Sequence, residues 1–301
     1  MTQIALSPGT SIQEALSQIP NDEPVQIVLN KGIYREKISL DRHNLSVVGS
    51  GKRESVIIND DFNFKMHRDG RQYNTFRTPT MTLTGSHVTL TNLTIANDAG
   101  SGDAIGQAVA LALYGDDVTV SDCTVDGYQD TLFLGPLPVD LTKRYEDLLP
   151  DTMRQTEPCR HRFLHSTISG SVDFIFGSAT ALFLDCEILV KKPGYIAAPS
   201  TYADNSIGFV FWHSTIRNQS GSDQVFLARP WREHGYVYYQ DCHFEGGFSP
   251  DRYDAWGKAT FRFYENPFVP SSMSRGLSKE SIQEISRTLE TLFSVKLMAR
   301  D

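Results

Sequence analysis

"VTVSDCTV", residues 118–125, and "HRFLHSTI", residues 161–168, decide how this chain folds, because the same eight-residue pattern returns along the sequence. Related stretches are "VTLTNLTI" ending at Ile95, "ALFLDCEI" ending at Ile188, "FVFWHSTI" ending at Ile216 and "VYYQDCHF" ending at Phe244. Most follow one template: apolar, x, apolar, x, x, small or apolar, x, apolar. The first two apolar positions alternate as in a strand, and the phase break after them predicts a bend. The repeat ends lie between 20 and 43 residues apart, so loops of unequal length interrupt a regular unit.

Units of this size, rich in Val, Ile, Thr and Phe, bury no complete face alone but do so when stacked. A flat parallel sheet needs crossover helices, and residues 81–265 show little helical periodicity. The expectation is an all-β fold, a right-handed parallel β-helix over about residues 25–265 of a single 1–301 domain, with a tail and helix over 266–301. Cys123, Cys186 and Cys242 share a template position with Leu93, Ser166 and Ser214, which predicts one internal column of buried thiols and no disulfide. A 123–186 bridge is disfavoured because another coil lies between. "SIQEALSQIP", from Ser11, reads as a short helix capping one open end. "SKESIQEISRTLETLFSVKLMARD", Ser278 to Asp301, places Ile282, Ile285, Leu289, Leu292 and Phe293 at helical spacing behind a Ser278 N-cap, so a terminal helix is expected on the solenoid.

Composition narrows the function. The 301 residues carry a net charge of −8 and a pI near 5.5, which disfavours nucleic acid and anionic membrane as partners. No apolar run is long enough to span a bilayer. The first residues lack the basic start and apolar stretch of a leader, so a cytoplasmic location is expected, a secreted or periplasmic one with its leader removed being the alternative. The four cysteines show no CxxC spacing, so zinc is not expected, and there is no phosphate loop and no nucleophile elbow. A capped solenoid needs no second chain, so a monomer is expected.

The chemistry lies in a second repeat. "GYQDTLF", Gly127 to Phe133, and "GSVDFIF", Gly170 to Phe176, both read Gly, two residues, Asp, two residues, Phe. Asp130 and Asp173 each lie five residues past a template end, so stacking puts them in one column. The Pro-rich stretch from Pro136 to Cys159 becomes a single excursion between successive coils. Adjacent strands are about 4.8 Å apart, which brings two carboxyls to roughly that separation. Two such groups do not both ionise cheaply, and the pair divides into a proton donor and an anionic nucleophile or base. An Asp near Gly more often serves a turn, but a matched pair flanked by Phe133, Phe174 and Phe176 favours function. Gln107 and Gln129 are uncharged donors suited to an oxyanion. Arg229 in "LARPW" can hold one carboxylate ionised through a two-pronged pair, and Trp231 offers a flat face for a sugar ring. The pair alone leaves ester and glycoside cleavage open, since a similar separation suits a retaining glycosidase. The glutamines favour acyl chemistry.

With "GIYREKI", "GQAVAL", "GYQDTLF", "GSVDFIFGSATALF" and "LARPW" in this order, residues 10 to 265 resemble the pectin methylesterases, and "GYIAAPST" (Gly194 to Thr201) is most similar to bacterial members. The resemblance implies a right-handed parallel β-helix with an open lateral cleft. It implies metal-free removal of methyl esters from galacturonate units of pectin or methylated oligogalacturonides. By the same resemblance Asp173 is the nucleophile, Asp130 the general acid and then base, Gln107 and Gln129 the oxyanion donors, and Arg229 the partner of Asp173. Trp231, Phe174, Tyr128 and Phe133 are the expected substrate contacts. Ala228 stands where the family usually has glycine, which puts the backbone near Arg229 in question. The long excursion is expected to overhang the cleft and to favour short oligogalacturonides over polymer. Competing readings are a polygalacturonase or pectate lyase, an esterase or thioesterase on another substrate, and a non-catalytic pectin-binding β-helix. The lyase needs acidic calcium ligands that are not seen near these motifs, and a mere binding module has no need to keep Asp130, Asp173 and Arg229 together.

Overall fold

The template repeats stack in register. In the computed structural model, which describes residues 1–270 and 273–297, Ile95 pairs with Val125, Val125 with Ile168, Ile168 with Ile188, Ile188 with Ile216 and Ile216 with Phe244. Those six ends therefore form one continuous row. Two earlier coils that the template missed extend it backward through Ile57 and Tyr34.

Each full coil supplies one strand to each of three parallel sheets, which hold ten, seven and eight strands among the described residues. The ten-stranded sheet opens with Thr2–Leu6, which pairs with Val25–Leu29, so the stack begins ahead of the boundary expected near residue 25. The phase break in the template is a left-handed residue in every repeat: Asn92, Asp122, His165, Asp185, His213 and Asp241 all have φ between 46° and 57°. Asn, Asp and His tolerate this conformation best among residues with side chains. The bend is thus written in the sequence by residue type as well as by phase.

Inside the tube, like residues stack on like. Phe163, Phe183, Phe211 and Tyr239 form a ladder with ring centroids 4.6–4.7 Å apart and planes within 13° of parallel. The sulfur column is present and unbridged, with Cys123 and Cys186 buried as expected but Cys242, in the last repeat, only half-buried; the backbone N–H of Cys123 donates to Ser166 Oγ, and that of Cys186 donates to Ser214 Oγ, both at 3.1 Å. Burial pushes the Cys123 thiol up to about 11 and that of Cys186 up to about 12.

Helices close one end and cover one face. Helix α1 (Ile12–Ser17) turns Ile12 and Leu16 into the core. Ser11 caps it, and the Glu36 carboxylate accepts from the N–H groups of Ile12 and Gln13, where a helix N-terminus favours negative charge. A short second helix, α2 (Val139–Arg144), lies within the excursion. The C-terminal helix α3 (Lys279–Phe293) starts at a Ser278 N-cap as expected. Its Leu289 and Phe293 pack on Leu182, Val210, Trp212 and Tyr238 of the ten-stranded sheet. Leu292, expected on that face, is turned toward solvent at 36% exposure. The final residues of that expected helical stretch, 298–301, and residues 271–272 of the linker lie outside the described residues. No described helix is long and apolar enough to cross a membrane.

Candidate active site

The chain turns from one sheet to the next just before the strands Leu132–Leu134 and Ile175–Gly177, which pair in register. Asp130 and Asp173 occupy those turns with φ of 59° and 49°. The backbone N–H of Asp130 donates to the Val172 carbonyl at 3.0 Å. Both aspartates are therefore turn residues and a stacked pair at once. The glycines that opened the pattern have a steric reason. A Cβ on Gly170 would come within 2.2 Å of Phe174 Cβ and 2.7 Å of the Tyr128 carbonyl oxygen.

Both carboxyls face one cleft of about 440 Å³ on the outer wall, shared with Gln107, Gln129, Arg229 and Trp231. Arg229 donates through Nε to Asp173 Oδ1 at 2.8 Å and through Nη2 to Oδ2 at 2.6 Å. The two side chains are only 13–17% exposed. Burial raises the Asp173 carboxyl above its ordinary value, and the arginine pulls it back. Asp130 has no such pair. Burial pushes it well above the carboxylate range, the neighbouring Asp173 adds to that, and Arg229 opposes it more weakly. The asymmetry assigns the proton to Asp130 and the charge to Asp173. Neither the Gln107 nor the Gln129 carboxamide is hydrogen bonded among the described residues, so both are free to donate into the cleft.

Arg229 is held in a way that no motif announced. Its guanidinium lies between the rings of Tyr195 and Trp256, 3.9 Å from each centroid. Asp254 fixes both plates: it accepts from the Tyr195 hydroxyl at 3.0 Å and from the Trp256 backbone N–H at 2.7 Å. A sandwiched guanidinium keeps its plane and its charge. Ala228 does not disturb this, because it sits fully buried in the central core.

The expected aromatic contacts are redistributed. Trp231 lines the cleft, edge-on to Phe176 at 5.7 Å. Phe174 does not line it: coming directly after the left-handed Asp173, it points into the tube and joins the central core. Phe133 is also fully buried, but on the outer side, beneath Phe76 and Phe176, so it supports the wall without facing the cleft. Phe176 and Phe76 take the lining positions. Tyr128 lies off the cleft, with Lys191 Nζ 4.6 Å and Lys192 Nζ 5.5 Å from its ring.

The excursion does overhang. Leu137, Leu141, Leu149 and Met153 pack on Phe76, Phe133 and Phe176, and Leu141, Arg144 and Tyr145 form one side of the cleft. Asp140 accepts from Arg232 Nε at 3.0 Å and Nη2 at 2.8 Å, tying α2 to the segment that carries Arg229 and Trp231. Among the described residues no cluster of His, Cys, Asp and Glu has the makings of a metal site.

A family model described as Pectinesterase matches residues 7–136 and 148–268, passing over only the α2 segment in between. Curated relatives from Arabidopsis thaliana include "Probable pectinesterase/pectinesterase inhibitor 21", 28% identical over 82% of this chain and 35% of its own length. "Pectinesterase QRT1" is 30% identical over 82% of this chain and 62% of its own length. The chain thus spans about a third of the first of these relatives. Among solved structures, pectin methylesterase PemA from Erwinia chrysanthemi superposes with a TM-score of 0.75 at 23% identity, covering 99% of this chain and 98% of that one. Pectin methylesterase from carrot gives 0.76 at 22% identity over 93% and 89%. A pectin methylesterase in complex with a hexasaccharide gives 0.75 at 23% over the full length of both. These superpositions establish the shared parallel β-helix. The family match, running along both sides of the excursion and through Gln107, Gln129, Asp130, Asp173, Arg229 and Trp231, shows that the chain belongs to the pectinesterase family.

Proposed function

We propose that this protein hydrolyses the methyl esters of galacturonate units in pectin or methylated oligogalacturonides, releasing methanol and leaving a free carboxylate. The observation that carries the reading is the split between the two stacked aspartates, one paired to an arginine and one not, beside two unpaired carboxamides. Asp173 attacks the ester carbonyl carbon through a carboxylate oxygen. The carbonyl oxygen takes the negative charge and receives hydrogen bonds from Gln107 and Gln129. As the tetrahedral species collapses, the bond to methoxide breaks and Asp130 supplies the proton that completes methanol. The product on the enzyme is a mixed anhydride. Asp130, now ionised, takes a proton from water, whose oxygen attacks the acyl carbon. Asp173 leaves as carboxylate and Asp130 regains its proton. Trp231 and Phe176 give the sugar face an apolar wall.

The match to pectinesterases, and the hexasaccharide held by one of the superposed pectin methylesterases, support pectin as the substrate class. The overhanging excursion supports a preference for short methylated chains over intact polymer. Methanol release from methylated pectin tests the activity, with Asp173→Asn reduced about a thousandfold or more; equal release by the two proteins overturns it. Rates on methylated trimers to hexamers against intact pectin test the length preference, and a strong polymer preference refutes it.

A further inference from the structure

Three arginines line the cleft, and they are not equivalent. Arg229 is committed to Asp173 and Arg232 to Asp140. Arg144 has no carboxylate within ion-pair distance and no side-chain hydrogen bond among the described residues; its guanidinium rests 5.6 Å from the ring of Tyr145. It is exposed at the last position of α2, the helix that overhangs the cleft. That helix is anchored in its N-terminal half, by Asp140 on Arg232 and by Leu141 in the outer apolar cluster, and Tyr145 just past its end packs against the same cluster. Arg144 thus sits at the far end of α2 beside the packed Tyr145, and it acts on the Asp140 carboxyl only through space, without an ion-pair contact.

Arg144 and Tyr145 also line a second groove of about 440 Å³ on their other side, with Asn63, Arg71, Gln72, Asn74, Asp147 and Leu148. Arg71 is a second guanidinium with no carboxylate partner among the described residues. Asp147 is the opposing charge there. The chain as a whole carries −8, so an anionic chain meets general repulsion, and a local unpaired cation is what admits one. The family match skips residues 137–147, the stretch that holds both Asp140 and Arg144. The Arg144 side of the groove therefore lies outside the matched residues, while Arg71 lies within them.

We propose that Arg144, with Arg71 behind it, forms a subsite for a free sugar carboxylate, so that a galacturonate unit already lacking its methyl ester is seated beside the unit being cleaved. The inference rests on the function proposed above for the cleft, and it deepens it: the substrate class becomes a partly de-esterified oligomer. Planar guanidinium matches carboxylate with two parallel hydrogen bonds, whereas a methyl ester offers no charge and one good acceptor.

The test uses two probes. The first is de-esterified hexagalacturonate, whose binding is measured by calorimetry at low and high salt. Arg144→Gln weakens it about fivefold, the size of a partly exposed ion pair, and the difference shrinks as salt rises. Arg144→Lys, which keeps the charge without the fork, falls in between. The second is a pair of hexamers, fully methylated or with one free carboxylate, compared by kcat/KM for methanol release. Wild type favours the carboxylate-bearing hexamer, through KM, and Arg144→Gln loses about fivefold more on it than on the other. Equal product binding by wild type and Arg144→Gln, or equal losses on the two hexamers, overturns the subsite and leaves Arg144 a wall residue. If the de-esterified hexamer binds through Arg144 while no hexamer releases methanol, the subsite stands and the esterase reading falls.

Discussion

Replacing Arg229 with Gln removes the one cation that keeps Asp173 ionised while leaving a side chain of similar reach. The pair is two-pronged, with contacts of 2.8 and 2.6 Å, and both members are largely buried. At about 4 Å between charge centres and an effective dielectric near 20, the attraction is about 4 kcal/mol. An adjacent arginine lowers a carboxyl by about 1–3 pKa units, or about 1.4–4 kcal/mol, which agrees. Burial already raises Asp173, so without the arginine nothing opposes that rise. The expected outcome is an acid limb of the pH profile of kcat/KM displaced upward by about 1–3 units. Activity at a pH below the new limb then falls about tenfold per unit, and much of it returns at higher pH. Arg229→Lys keeps the charge but loses the fork and the fit between Tyr195 and Trp256, so its limb moves less. An Arg229→Gln profile that drops uniformly at every pH, with its acid limb unmoved, refutes the reasoning and places Arg229 on the substrate instead of on Asp173.

Asp130→Asn tests the other carboxyl through stability. Its folded-state pKa lies above the unfolded value near 3.8, so the wild type loses stability as pH rises from that value through the folded one. Urea midpoints of wild type and Asp130→Asn should agree near about pH 3.5, with the variant gaining by about 1.4 kcal/mol for each unit separating the two pKa values; a variant less stable at pH 7 contradicts the assignment. Asp140→Ala unfastens α2 from Arg232 across a pair exposed on the aspartate side, so stability changes by less than about 1 kcal/mol while the polymer-to-hexamer rate ratio rises; an unchanged ratio removes the excursion as a length filter. Phe183→Ala cuts the internal ladder between Phe163 and Phe211 and costs about 3–5 kcal/mol by chemical denaturation. A loss under about 1 kcal/mol shows the ring stack to be incidental.

The rows of the solenoid were legible because each coil repeats one physical demand. Apolar residues must enter the tube, and an Asn, Asp or His must take the left-handed bend. The aspartate pair was legible for the same reason, since two equal offsets from two repeat ends become one column. Phe174 and Phe176 show where such reading stops. Both flank Asp173, and only the local turn decides that the first goes inward and the second faces the cleft. Tyr195, Trp256 and Asp254 were missed because their bond to Arg229 joins three coils and leaves no spacing to notice. Phe76 comes from another loop altogether and reaches the site through the apolar cluster under the excursion. Leu292 met the helical period yet faces out, because α3 buries a stripe narrower than its apolar residues allow.

Backbone pairing between Leu132 and Ile175 has a further consequence for how such a site can change over generations. The spacing of its two acids is counted in whole ladder steps of about 4.8 Å, with no intermediate setting on offer. Insertions in a loop, however long, leave that step untouched, whereas a slip of register destroys it outright. Loops such as the one bearing α2 are accordingly free to be rewritten for new ligands while the reacting centre is inherited intact.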